Sequence, residues 1–200
     1  PVVGTFGPAA RAWFLHMLQA EPAPRAMVLA IRAAGSRAAI LAGDDPAVPR
    51  LAEVIAAVTE VGFPVVSALP GAVSGPLVEL ALAGDAILAA SGASLAIPDI
   101  VLGQVPGGGA TQTLPRRVGA RVALDILLSG RPVVADEALR LGMIDEVVTG
   151  DPMAAALTLA AEMAQKPRPE RAAPGLDAKV YGAEVATARG NLMVNGLPGA

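Results

Sequence analysis

The stretch from Val61 to Val78 carries no charged residue, and it limits the folds that this chain can adopt. It is long enough to raise the question of a membrane span. Pro64, Pro70 and Pro76, together with three glycines, would interrupt a spanning helix, because proline removes a backbone N–H and clashes with the preceding turn. The stretch is therefore predicted to form a buried strand, a loop and the start of a helix.

The composition predicts a well-filled core. The chain has 200 residues, of which 54% are hydrophobic and 16% charged, and aromatic residues make up only 2%. A length of this order suits one domain. The high apolar fraction also indicates that a subunit interface covers part of the exterior, so we expect the protein to self-associate.

Charge and cysteine content argue against several functions. The net charge is −3 with no basic block, so nucleic-acid binding is not expected. The absence of cysteine excludes a disulfide framework and a thiolate nucleophile, and it suits a cytosolic protein. No signal peptide is visible, and a cytoplasmic location without a membrane span is expected. No grouping of His, Asp or Glu has metal-ligand spacing, so no metal site is predicted.

Apolar periodicity predicts strands that alternate with helices. Such alternation favours an α/β domain with largely parallel pairing, and periodicity alone leaves open a doubly wound sheet or a stacked spiral. The predicted helices cover residues 8–20, 50–60, 76–83, 122–128, 135–141 and 153–163. The predicted strands cover residues 27–31, 64–69, 86–89, 94–96 and 146–148. A charged, proline-containing break at 166–171 predicts a core domain of residues 1–165 and a short C-terminal segment of residues 166–200.

Two carboxylates stand beside glycine- and proline-rich loops in this apolar region. Glu79 follows Gly75 and Pro76 in the first turn of a predicted helix, where proline is favourable and the helix dipole stabilises an acid. Asp99 follows Pro98, where aspartate also serves as a turn residue or helix cap. An acid in apolar surroundings is costly to bury and is rarely kept without a partner or a task. Both acids are therefore candidates for catalysis, with local structural roles as the alternative.

A third loop, from Pro106 to Gln112, contains three consecutive glycines. It lacks the Gly-Lys-Ser/Thr ending of a phosphate-binding P-loop, and its spacing does not match G-x-G-x-x-G. Nucleotide binding by this loop is therefore not favoured.

Three segments together resemble the crotonase (enoyl-CoA hydratase/isomerase) superfamily. They are PVVSALPGAVSGPLVELALAGD from Pro64, LAIPDIVLGQVPGGGATQTLPRRVG from Leu95 and SGRPVVADEALRLGMIDEVV from Ser129. The similarity is closest to the hydratase part of multifunctional fatty-acid oxidation proteins. It implies a crotonase-like spiral of repeated ββα turns, an α/β fold, with a short helical C-terminal segment.

The resemblance implies roles for the two acids. Glu79, in GPLVEL, matches the glutamate of the family pattern GGGxEL that positions or activates water. Asp99 matches the acid that exchanges a proton with the α-carbon of the substrate, with a side chain that is one methylene shorter. Hydration of a conjugated thioester requires two such groups. The implied function is therefore an enoyl-CoA hydratase of fatty-acid or related acyl-CoA metabolism, with a CoA thioester as substrate and no cofactor; an enoyl-CoA isomerase is an alternative.

The resemblance also implies an oxyanion hole of two backbone N–H groups directed at the thioester carbonyl. The loop at Ala42 matches the family sequence A-G-A-D and places one donor at Asp44. The second donor falls at Pro76, which has no N–H. Gly75 or Leu77 must then supply a substitute, or the protein is a catalytically impaired subunit with a binding or assembly role.

The substrate-binding residues so implied are Ala42, Asp44, Gly75, Pro76, Leu77 and Gly107, the last in the loop that shapes the acyl pocket in the family. The habit of the family further implies a homotrimer or a hexamer.

Overall fold

The computed structural model describes residues 8–20, 22–31, 50–169 and 178–194. The helices are α1 (Pro8–Leu18), α2 (Leu51–Glu60), α3 (Pro76–Leu82), α4 (Ala110–Val118), α5 (Ala120–Ser129), α6 (Ala135–Leu141), α7 (Pro152–Met163) and α8 (Ala178–Val194). The strands are β1 (Met27–Ala30), β2 (Val65–Leu69), β3 (Val73–Ser74), β4 (Ala86–Ala90), β5 (Ser94–Ala96), β6 (Val133–Val134) and β7 (Glu146–Val148), and a 3₁₀ turn covers Ile100–Leu102.

The strands form two sheets between which the chain passes repeatedly. One sheet has the order β1-β2-β4-β7 and is parallel throughout. The other has the order β3-β5-β6, in which β3 and β5 are parallel and β5 and β6 antiparallel. The path from β2 to β3 and α3, and then from β4 to β5 and α4, places one strand of each turn in each sheet. This repeated ββα path confirms the predicted α/β spiral and excludes the doubly wound alternative.

An aspartate closes successive turns of the spiral in the same way. Asp85, just before β4, accepts the N–H of Val65 at the start of β2 at 2.8 Å. Asp145, just before β7, accepts the N–H of Ile87 near the start of β4, also at 2.8 Å. Each aspartate also donates its own N–H to the carbonyl of the residue that it caps. The equivalence is structural, and the sequence around the two positions shows no corresponding repeat.

Strand β2 lies at the centre of the first sheet and is buried on both faces. Val65 and Leu69 belong to the main apolar core on one side. Val66 and Ala68 belong to a second apolar cluster that contains Ala156 and Ala160 of α7. All five residues of β2 are buried, as expected for a parallel strand that is covered by helices on both sides.

The predicted helices and strands agree with the structure to within one or two residues at most ends. Helix α4 and the short strands β3 and β6 were not predicted. Helix α4 directly follows Gly109 and contains Pro115, and both residues are typical of loops. Strands β3 and β6 have two residues each, which is too short for an alternating pattern to be recognised.

Arg168 connects the segment after α7 to the core. Its guanidinium donates to Asp85 Oδ2 at 2.9 Å and to the carbonyl oxygens of Val58, Thr59 and Val61 at the end of α2.

The division of the chain at residue 165 stays a prediction. In the described residues, no helix has both the length and the apolar character needed to cross a membrane.

Candidate active site

Glu79 is buried in the first turn of α3, with 1% of its surface exposed. Its Oε2 accepts the backbone N–H of Gly108 at 2.8 Å and that of Ala110 at 2.9 Å. Both donors lie where the glycine loop enters α4, at a helix end whose N–H groups have no partner within the helix. They stabilise the charge of the carboxylate and fix its orientation.

Gly75 sets the direction in which α3 leaves the preceding strand. Its φ of 62° lies in the left-handed region, which glycine adopts without a steric cost. Pro76 then occupies the first helical position, as the sequence predicts. This turn orients α3 so that the carboxylate of Glu79 contacts the glycine loop.

Gly108 allows the glycine loop to approach Glu79 closely. A Cβ atom at this position would lie 3.0 Å from Glu79 Cδ and 2.8 Å from Ile55 Cδ1. Gly107 has no atom within 4 Å of the corresponding point. The close contact between the loop and the carboxylate therefore requires glycine at position 108.

Asp99 is the second buried carboxylate of this region, with 3% of its surface exposed. It stands at the N-terminus of the 3₁₀ turn, and its carbonyl oxygen accepts the N–H groups of Leu102 and Gln104. The predicted turn position is thus correct. Its side chain, however, is buried and lines a cavity. A role in the turn alone would not explain this, because aspartate in a turn is normally exposed to solvent.

Glu79 and Asp99 line the same cavity, which has a volume of about 580 Å³. This volume is within the range of small-molecule sites. The resemblance implies that both acids act on one substrate, and their convergence agrees with this, while their catalytic roles stay predictions. The cavity is lined by Arg11, Arg50, Leu51, Ala52, Glu53, Ala56, Pro76, Glu79, Asp99, Gln104, Val105, Gly107 and Gly108.

The predicted substrate-binding residues are only partly placed at this cavity. Pro76 and Gly107 line it. Gly75 donates its N–H to Ala96 O at 2.8 Å and is therefore not available to an oxyanion. Leu77 is half-buried against the core, and its N–H, in the first turn of α3, has no acceptor among the described residues. The predicted residues Ala42 and Asp44 lie outside the described residues.

A smaller apolar cavity, of about 180 Å³, adjoins the first. The two share Gln104 and Val105 in their walls. Leu124, Leu127 and Tyr181 are among its other lining residues, so α5 and α8 both contribute to it. An apolar group that extends from the first cavity has a place to bind here.

Arg11 is a site residue that the sequence analysis missed. Helical spacing places Arg11, Phe14, Leu15 and Leu18 on one face of α1, and this face packs toward the core. An arginine in register with three apolar residues was the available signal. It carried little weight, because arginine in an amphipathic helix is normally exposed.

Comparison with known proteins identifies the family. The sequence model of the family described as enoyl-CoA hydratase/isomerase matches residues 37–178, which is most of the chain. The chain belongs to this family. The predicted crotonase resemblance is thereby confirmed.

Individual relatives agree with this assignment. The peroxisomal bifunctional enzyme of Pongo abelii is 43% identical over 108 residues, which cover 54% of this chain and 15% of that protein. The chain thus spans only a small part of the curated relatives that it matches.

Solved structures share the fold. DspI of Pseudomonas aeruginosa has a TM-score of 0.69 and 27% identity, over 92% of this chain and 81% of that one. Enoyl-CoA hydratase from Bacillus anthracis has a TM-score of 0.70 and 22% identity, over 92% of this chain and 79% of that one.

Proposed function

We propose that this protein hydrates the double bond of an enoyl-CoA thioester. The observation that carries the proposal is the meeting of two buried acids, Glu79 and Asp99, in the wall of one cavity. Membership in the enoyl-CoA hydratase/isomerase family and similarity to a peroxisomal bifunctional enzyme support it. An enoyl-CoA isomerase needs only the acid at Asp99. An isomerase function would therefore not explain why Glu79 is buried in the wall of the same cavity.

In the proposed reaction Glu79 acts on water. Its Oε2 is held by Gly108 and Ala110, so the carboxylate cannot rotate freely and Oε1 takes the proton of the attacking water. The water oxygen forms a bond to the β-carbon, and the C=C electron pair moves toward the thioester carbonyl. The carboxyl group of Asp99 gives a proton to the α-carbon. General acid and base groups of this kind each contribute about 10²–10⁴-fold to the rate.

The enolate that forms on the way requires backbone N–H donors at the thioester oxygen. With Gly75 engaged by Ala96, Leu77 is the remaining candidate in α3 for one donor. The predicted donor at Asp44 is retained as part of the proposal. The acyl chain extends into the smaller apolar cavity, and the reaction needs no cofactor besides the CoA of the substrate.

The test is hydration of crotonyl-CoA, followed by the loss of enoyl-thioester absorbance. The wild-type protein is expected to turn over, while Glu79→Gln and Asp99→Asn are expected to lose at least about 10²-fold in kcat. Each variant keeps the size of the side chain, and thermal unfolding checks that it is folded. A folded wild-type protein that hydrates no enoyl-CoA would sink the hydratase proposal.

Pro76 favours a second candidate, a catalytically impaired family member that binds acyl-CoA. Calorimetric titration with butyryl-CoA, a saturated analogue, separates the two candidates. Binding together with turnover supports the hydratase, and binding without turnover supports the impaired subunit.

We also propose assembly into a homotrimer or a hexamer. The large apolar side chains of Val101, Leu102 and Val105 are exposed next to the site, which supports a covered surface there. Sedimentation that gives a stable monomer at micromolar concentration would reject this assembly.

The cytoplasmic location predicted from the cysteine-free composition remains a prediction, which fractionation of cells would test.

A further inference from the structure

Arg11 brings a buried positive charge to the cavity that contains Glu79 and Asp99. Only 4% of its surface is exposed, and it lines this cavity from α1. Its Nε and Nη2 atoms have no hydrogen-bond partner within the described ranges of the chain. A guanidinium carries five donors and stays charged, so burial without acceptors is costly.

The two acids do not account for this arginine. Oε2 of Glu79 is already stabilised by the backbone N–H groups of Gly108 and Ala110. The described residues show no ion pair between Arg11 and either acid. Arg50, which also lines the cavity, is by contrast exposed and paired with Glu53 at 3.2 Å. Arg11 is thus a buried cation, with donor atoms that the water and proton steps do not use.

We propose that Arg11 binds a carboxylate carried by the acyl group of the substrate. The substrate class is then an enoyl thioester of a dicarboxylic acid. The guanidinium fork matches a carboxylate with two parallel hydrogen bonds. The carboxylate of Glu79 in the cavity wall would repel such an anionic acyl group, and Arg11 offsets this repulsion. The inference rests on the proposed function, because it takes the cavity to be the acyl site.

The phosphates of CoA are the other source of negative charge on such a substrate. They are separated from the thioester by the whole pantetheine arm. Arg11, however, lines the same cavity as the two acids that are proposed to act on water and on the α-carbon. Its position therefore favours the acyl end of the thioester over the nucleotide end.

The test compares binding of succinyl-CoA and butyryl-CoA, which have the same chain length and differ in the terminal carboxylate. Calorimetry on the full chain is expected to show tighter binding of succinyl-CoA. Arg11→Gln should lose on the order of 10- to 100-fold in affinity for succinyl-CoA and little for butyryl-CoA. Arg11→Lys, which keeps the charge without the fork, should retain part of the preference.

Arg121→Gln is the matched control, because it removes an exposed arginine of α5 that does not line the cavity. It should change neither affinity. Equal binding of the two thioesters by the wild-type protein would overturn the inference, whether or not Arg11→Gln folds. Equal losses for both CoA esters, with none for the corresponding pantetheine thioesters, would assign Arg11 to the CoA phosphates and also overturn it.

These measurements use saturated thioesters, so they do not depend on turnover. A preference for succinyl-CoA in a protein that fails to hydrate any enoyl-CoA keeps the inference and sinks the hydratase proposal. Turnover of crotonyl-CoA without a preference for succinyl-CoA keeps the hydratase proposal and overturns the inference.

Discussion

Gly108 and Glu79 are in direct contact: the Gly108 N–H lies 2.8 Å from Glu79 Oε2, and a Cβ on Gly108 would lie 3.0 Å from Glu79 Cδ. The loop residue thus determines both the charge stabilisation and the position of the carboxylate. Twenty-eight residues of chain separate the two positions, and they make one further turn of the spiral, through β4 and β5.

Gly108→Ala is expected to reduce turnover through this contact. The added methyl group must displace either the Glu79 carboxylate or Ile55 Cδ1. A misplaced reacting group costs on the order of 10²-fold in rate. Overpacking would lower the free energy of unfolding by about 1–3 kcal/mol. Crotonyl-CoA hydration and urea unfolding measure the two effects.

Gly92→Ala serves as the control, since a Cβ there meets nothing within 4 Å and the residue lies in an exposed turn. It should keep wild-type activity. If Gly108→Ala were as active as Gly92→Ala, Glu79 would not need the position that the structure gives it.

Pro76→Gly is expected to raise turnover if the missing N–H weakens the oxyanion hole. The substitution restores a donor at the position where the family has one, and such a donor is worth about 10²–10³-fold in kcat. The gain should appear in kcat more than in KM, because the oxyanion develops only toward the transition state. Pro76→Ala provides the same N–H with less backbone freedom, so it should show the same gain with a smaller loss of stability.

Unchanged kcat in both folded variants would contradict this prediction. It would indicate that Leu77 already supplies the donor in α3. The structure leaves this option open, because Gly75 is engaged by Ala96 and the Leu77 N–H lies in the first turn of the same helix.

The sequence predicted Glu79 and Asp99 because both stand beside punctuating glycines and prolines and match family patterns. It did not predict Arg11, Gly108 or Ala110 as contacts of the site. The burial of Arg11 depends on how α1 packs against the rest of the protein, because the helix alone would allow the guanidinium to be exposed. The positions of the Gly108 and Ala110 N–H groups depend on where α4 begins. This helix was not predicted, because proline at position 115 is unusual inside a helix. The parallel order of β2 and β4 followed from strand–helix alternation, but the choice of a spiral depended on pairings between distant strands.

Arg168→Met is expected to destabilise the fold. The guanidinium pairs with Asp85, whose side chain is almost fully buried, and it caps the carbonyl groups at the end of α2. Removing one partner of a buried ion pair costs about 3–5 kcal/mol. The free energy of unfolding in urea should fall by this amount.

Arg50→Met is the control for this change, because its pair with Glu53 is exposed and worth at most about 1 kcal/mol. Adding Asp85→Asn to Arg168→Met should recover part of the loss, since it removes the buried charge. Equal effects of Arg168→Met and Arg50→Met would show that the Asp85 pair contributes no more than a surface pair.

Glu137 should make the stability of the protein depend on acid pH. Hydrogen bonds from Arg131 lower the pKa of Glu137, and the same contacts raise the pKa of Arg131. A carboxylate with a lowered pKa in the folded state stabilises the protein above its unfolded pKa of about 4.3, and this contribution is lost as pH falls through the folded value. The contribution of Arg131, whose pKa is raised, is present at all lower pH values and is lost only in strong alkali.

Comparison of Glu137→Gln with the wild-type protein isolates this acid-dependent term. At neutral pH the wild type should have the higher Tm, by a small amount because the pair is at the surface. The difference should shrink as pH falls below about 4 and the carboxylate takes up a proton. High salt at neutral pH should also reduce it, since screening weakens exposed ion pairs. A Tm difference that stays constant from neutral to acid pH would mean that Glu137 acts through its shape and not through its charge.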